Sequence, residues 1–196
     1  MQQSYARVAG VLEPISAADL VEDAMRLNAG ALDRHHIQVV REFENTPPII
    51  VDKHKVLQIL VNLLRNAKFA LEDSKQTDRR LVLRIMNAAS RVRISVIDNG
   101  VGIPPENLTR IFQHGFTTRR GGHGFGLHSG ALAASELGGS LSAASDGPGK
   151  GASFTLEFPC EQNGPAPEDP NRRFKVKTST TARVMAAANA ENGAKG

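Results

Sequence analysis

The segment from Arg79 to Gly100, RRLVLRIMNAASRVRISVIDNG, consists of two β-type runs separated by a short turn. So short a connection closes a hairpin, whereas a parallel pair needs a crossover of about a dozen residues or more. The chain must therefore carry antiparallel sheet. A second hairpin follows in SLSAASDGPGKGASFTLEFP, around a Gly/Pro turn, and two short strand candidates, HIQVVREFE and PPIIV, lie upstream of the first.

Helical patterns occupy the intervening stretches. The first dozen residues resemble the last turns of a helix that Pro14 stops. A second helix is predicted in the segment around AADLVEDAMRLNAGALD, with Ser16 as N-cap and Asp19 as its acidic partner three residues on. In KHKVLQILVNLLRNAKFALED, capped by Asp52, the residues Val56, Leu60, Leu63, Leu64, Ala67 and Leu71 form an apolar stripe at helical spacing. An irregular stretch runs from Pro104 to Gly122. A helix over residues 127–137 then ends at Gly138-Gly139. The expected fold is α+β, a two-layer α/β sandwich with a mixed, mostly antiparallel sheet and helices on one face, rather than alternating βαβ units.

Composition narrows the function. The 196 residues suffice for one domain with a core plus tails. With no Trp and one Tyr, stacking platforms for single-stranded nucleic acid are scarce. The net charge of +4 is modest and comes partly from NRRFKVK near the C-terminus, so nucleic acid is not an expected partner. Cys160 is the only cysteine, which excludes an internal disulfide framework and fits a reducing, cytoplasmic setting. No stretch approaches the roughly eighteen apolar residues of a membrane span. Beyond Glu161, Pro, Asn, Ala and Gly dominate without periodicity, as in a disordered tail, although TARVMAAANA has some helical character.

Three motifs carry chemistry. Asn62 and Asn66, at i and i+4, project from one face of their helix. Asparagine is a mediocre helix former, but its neutral oxygen suits a hard cation such as Mg²⁺. In VIDNGVGIP, the alternation Val92-Ile94-Val96-Asp98 puts a carboxylate on an apolar face at a strand end. Such a group is costly without a donor, although Asp-Asn-Gly is also an ordinary turn. In GGHGFGLHSG, glycines preceding a helix can aim backbone N–H groups and the helix's positive end at an anion. This is neither a dinucleotide fingerprint, since no strand directly precedes it, nor a Walker loop, since no Gly-Lys-Ser/Thr follows.

Taken in order, the motifs resemble the nucleotide-binding ATPase domain shared by sensor histidine kinases, gyrase, mismatch-repair and heat-shock chaperone ATPases. QILVNLLRNAKFAL is similar to the kinases' N box, DNGVGI to their G1 box, IFQHGFTTR to their F box and GHGFGLHSG to their G2 box. The resemblance spans about Ala18 to Pro159 and implies the Bergerat-type ATP-binding fold.

It also implies roles. Asn66 would coordinate Mg²⁺ on ATP, Asn62 would approach the phosphates, and Lys68 would pair with a phosphate or point along the sheet. Asp98 would accept from the adenine amine, with Gly100, Gly102 and Ile103 beside the base. Residues 104–122 would form an ATP lid, anchored by Phe112 and Phe116 and closed by Thr117, Thr118 and Arg119. Gly122, His123, Gly124, Phe125, Gly126 and Leu127 would wrap the phosphates, and a hydroxyl of Ser153 or Thr155 would reach the base region. Asn62, Asn66 and Arg119 are the expected catalytic set.

ATP-hydrolysing branches carry a glutamate base where Asn62 stands, and an amide cannot take a proton from water. The resemblance therefore favours phosphotransfer to a histidine. His35, His36, His54, His114, His123 and His128 all lack the acceptor's context. Residues 1–13 would be the remnant of a second dimerisation helix, 14–160 the catalytic domain and 161–196 the tail. The acceptor would lie on a dimerisation domain of a homodimeric parent, free or membrane-anchored, that addresses a response regulator, the piece itself being monomeric. The alternatives are a nucleotide-gated module without phosphotransfer, or a serine kinase of the anti-sigma type.

Overall fold

A computed structural model describes residues 10–119 and 122–160. The chain begins with strand β1 (Leu12–Ile15), helix α1 (Ala17–Arg34) and strands β2 (Gln38–Phe43) and β3 (Ile49–Asp52). Helix α2 (Lys53–Glu72) leads into β4 (Arg80–Ala88) and β5 (Arg91–Asp98). After the short helix α3 (Pro105–Leu108) come α4 (Gly126–Glu136), β6 (Ser140–Ala144) and β7 (Ala152–Pro159).

Five strands make one sheet in the order β2-β4-β5-β7-β6, with only β2 and β4 parallel. Both predicted hairpins are present as antiparallel pairs. The inner face is set by strand alternation. Ile85, Ile94 and Leu156 sit opposite one another in register, as do Leu83, Val96 and Phe154, all buried. The intervening positions carry the polar outer face, where the Ser95 and Thr155 hydroxyls lie 3.0 Å apart. Helix α1 buries Leu20, Val21 and Ala24, and α2 buries Leu60, Leu63 and Leu64, against the inner face. The expected sandwich of helices on one face of a mixed sheet is the fold found.

Near the N-terminus the ends of the elements differ from expectation in two places. Leu12–Ile15 is a strand paired with β3, not the end of a helix, because Pro14 suits an edge strand whose missing N–H faces away from its single partner. Residues 1–9, on which the rest of the proposed helix remnant falls, lie outside the described residues, as do the proposed tail and TARVMAAANA. Ser16 occupies the N-cap position with extended backbone, but its side chain makes no capping hydrogen bond.

Asp52 does cap α2, accepting from the backbone N–H of His54 at 2.9 Å and of Lys55 at 3.3 Å. Asp52→Ala is expected to cost about 1 kcal/mol of stability, read as a lower urea midpoint at unchanged slope.

Candidate functional site

One turn-facing stripe of α2 forms the floor of a cleft of about 610 Å³. The stripe contains Asn62, Arg65, Asn66, Phe69, Ala70 and Asp73, all within one helical face at spacings of three and four. The cleft falls within the ~300–1,000 Å³ range of small-ligand sites. At 1.5 Å per residue, Asp73 lies about 16 Å along the helix from Asn62. The cleft thus has two ends with different chemistry.

Asp98 marks the first end. It sits at the last position of β5, with Leu81 and Ala152 beside it in register, and is 5% exposed. Its Oδ1 accepts from the Gly100 N–H at 2.9 Å. Loss of solvation nevertheless outweighs that bond and a second backbone bond from Ala152, so its pKa is pushed up to about 6. The neighbouring Asn99 serves the turn instead. It accepts from Arg80 N–H at 2.8 Å and donates to Gln76 Oε1 at 3.0 Å. The turn-forming part of Asp-Asn-Gly thus falls to Asn99, while Asp98 stands buried in the wall of the cleft.

The glycines of this turn answer to the protein's own packing. A Cβ on Gly100 would stand 2.5 Å from the Ala70 carbonyl, so this glycine lets α2 meet the turn and does not itself line the cleft. Gly102, which does line it together with Ile103, has φ +72° and approaches the Gly147 carbonyl.

The opposite end is built from the irregular stretch and the start of α4. Thr117, Thr118, Arg119, Gly122, His123 and Gly124 line it, with Phe125, Gly126 and Leu127 completing the wall. Helix α4 has no side-chain cap, which leaves its first-turn N–H groups available on the cleft side. Gly126 packs directly on the Asn62 amide, where a side chain would collide with Oδ1. The glycine loop and the amide pair are thus one surface. Helix α4 begins at Gly126, one residue before its expected start, because a Gly at that position already adopts helical backbone.

The remaining expected site residues are placed elsewhere. The Lys68 ammonium is 3.0 Å from Glu72 and 4.0 Å from the Phe69 ring centroid, turned away from the cleft. Phe112 does not line the cleft; with Phe116 it packs on the core, the anchoring expected of both. The Phe112 carbonyl also meets His128 Nδ1 at 3.0 Å, tying the stretch to α4. Ser153 and Thr155 point to the outer face, since the inward positions of β7 are Ala152 and Phe154, so neither hydroxyl reaches the cleft.

Arg65, Phe69, Asp73, Ala152 and Phe154 line the cleft without having been singled out from the sequence. Extending the Asn62/Asn66 stripe by further steps of three and four finds the first three. Pairing the two hairpins in register would find the last two. The Arg119 guanidinium rests 3.3 Å from the Phe69 ring centroid, so the aromatic ring holds the stretch's cation over the floor.

No group of three or more His, Cys, Asp or Glu able to hold a metal occurs among the described residues. Among the described residues, then, no metal site built on protein carboxylates is on offer. A neutral amide such as Asn66 fits Mg²⁺ that takes its other ligands from phosphate and water.

Residues 51–162 match the family described as histidine kinase-, DNA gyrase B-, and HSP90-like ATPase. The chain is 33% identical over 113 residues to the probable C4-dicarboxylate sensor kinase of Bacillus subtilis, covering 57% of this chain and 21% of that protein. It is 29% identical over 156 residues to the C4-dicarboxylate transport sensor protein DctS of Rhodobacter capsulatus, covering 78% and 23%. The catalytic domain of histidine kinase ThkA superposes with a TM-score of 0.66 at 25% identity, covering 76% of this chain and 95% of that domain. Full-length ShkA, solved in complex with AMPPNP, gives 0.68 at 26%, covering 79% and 32%. The chain spans roughly a fifth to a quarter of the length of these two curated relatives.

Proposed function

The chain belongs to the histidine kinase-, DNA gyrase B- and HSP90-like ATPase family, and on that premise we propose that it binds Mg-ATP and passes the γ-phosphoryl group to a histidine on a separate helical domain of a sensor kinase. Asp98 accepts from the adenine amine at one end of the cleft. The triphosphate runs along α2 towards Asn62 and Asn66, under the glycine loop and the open N-terminus of α4. Asn66 holds Mg²⁺, which when bound draws charge from the phosphate oxygens. Residues 104–122 act as a lid, with Arg119 leaving Phe69 to meet the phosphates. Catalysis is then positioning and charge neutralisation, with the nucleophile brought by the partner domain.

The observation that carries transfer over hydrolysis is the placement of carboxylates. Among the described residues lining the cleft, only Asp73 and Asp98 are acidic. Asp73 is about 16 Å from Asn62 along α2, and Asp98 stands beside Ala70 through Gly100, about 12 Å along. The phosphate end thus holds amides, hydroxyls, arginines and the His123 imidazole but no carboxylate to take a proton from water.

Calorimetry should give binding of Mg-ATP and none of Mg-GTP. Added histidine-bearing helical domain should then acquire an acid-labile phosphate. Binding without transfer would leave a nucleotide-gated module, and an acid-stable product would indicate a serine kinase.

A further inference from the structure

Helix α2 presents two cations near the cleft, and they are not equivalent. Lys68 is neutralised by Glu72 and faces away, as described above. Arg65 lines the cleft between Asn62 and Asn66 and, among the described residues, has no hydrogen bond, ion pair or ring contact. Most of the other described arginines do have partners: Arg41 meets Glu22, Arg84 meets Glu42, and Arg91 and Arg93 share Glu157. The nearest cleft carboxylate on its own helix face, Asp73, is eight residues on, about 12 Å away. An exposed guanidinium therefore stands at the rim of the cleft with its donors unused. The two amides flank it on the helix face, and the threonines of the lid and the uncapped start of α4, which meets the Asn62 amide at Gly126, line the same cleft. All of these favour an anion at the same place.

We propose that Arg65 is a phosphate-binding residue, the fixed cation of the nucleotide site, doing from α2 what Lys68 is placed too far round the helix to do. The proposal rests on the ATP reading given above. Arg65 sits on a rigid helix, whereas Arg119 comes from the lid and rests on Phe69, so Arg65 is in position before the lid moves. Its planar fork can hold two phosphate oxygens at once, which a lysine cannot.

The test is calorimetry of the wild-type chain, Arg65→Met and Arg65→Lys with Mg-ATP, Mg-ADP and adenosine, at two salt concentrations. Arg65→Met is expected to weaken ATP and ADP about tenfold, the exposure of the site keeping the effect at the low end for a charged hydrogen bond. Adenosine should be unaffected, the ATP affinity of the variant should depend less on salt, and Arg65→Lys should recover part of the loss. The thermal midpoint should not move, since the side chain is exposed and unpartnered. Unchanged ATP affinity in Arg65→Met, or an equal loss for adenosine, overturns the role of Arg65 while leaving ATP binding intact. Failure of the wild-type chain to bind ATP would instead overturn the underlying reading.

Discussion

Asn66→Ala is expected to reduce Mg-ATP-dependent transfer to a supplied histidine domain by about a hundredfold or more while leaving the fold untouched. The magnitude follows from removing one preorganised group at the point where charge develops. Asn66 is only partly buried on the cleft side of α2, outside the apolar stripe that packs on the sheet. Alanine is the best helix former and takes away no core contact, so the thermal midpoint should hold or rise slightly. The diagnostic is the dependence on metal. ATP affinity should drop in the variant with Mg²⁺ present and match the wild type in EDTA. An equal drop with and without Mg²⁺ would remove the metal-holding role. Retained transfer would remove the catalytic one.

The contrast between Asn66 and Lys68 explains how far the sequence alone could be followed. Periodicity located α2 and the cleft-facing amides, because helical spacing is enforced by the backbone and repeated over twenty residues. It could not choose the direction of Lys68, two positions further round. A long flexible side chain goes where local charge takes it, and the Glu72 carboxylate at i+4 stands 3.0 Å from the Lys68 ammonium. The same limit applies to the glycines. Their presence marked the turns, but only packing reveals that Gly100 yields to the Ala70 carbonyl and Gly126 to the Asn62 amide. Strand parity was legible in β5, where three apolar residues lead to Asp98. In β7 the same parity puts Phe154 inward and Thr155 outward, which the register with β5 settles. Leu12 and Glu13 show the remaining failure. Four residues carry too little periodicity to tell a frayed helix end from an edge strand whose partner lies nearly forty residues away.

Asp98→Asn is expected to weaken nucleotide binding and stabilise the protein at the same time. Asparagine keeps an oxygen for the Gly100 N–H, but its amide then presents a donor where the adenine amine also donates. Losing a charged acceptor in so dry a position should lower ATP affinity about ten- to a hundredfold. Stability moves the other way because the carboxylate is buried with only two backbone donors. Its pKa of about 6 in the folded chain lies above the ordinary 3.8, so the native state binds this proton more tightly than the unfolded state does. The stabilising contribution of the protonated group is complete below about 3.8 and is lost as the pH rises through about 6. Above that, the burial of charge costs roughly 3 kcal/mol. Asp98→Asn should therefore melt several degrees higher than the wild type at pH 8, with the advantage shrinking towards pH 4. ATP affinity of the wild type should fall as the pH drops below about 6, relative to the variant, since titration of the nucleotide is common to both. A variant that melts lower at pH 8 would mean that the carboxylate is held by more than the two backbone bonds. Unchanged ATP affinity would move the adenine away from Asp98. If both effects appear, a residue that weakens the empty fold at neutral pH is the one that selects the base, with the cost of its desolvation offset only when the nucleotide's amine arrives.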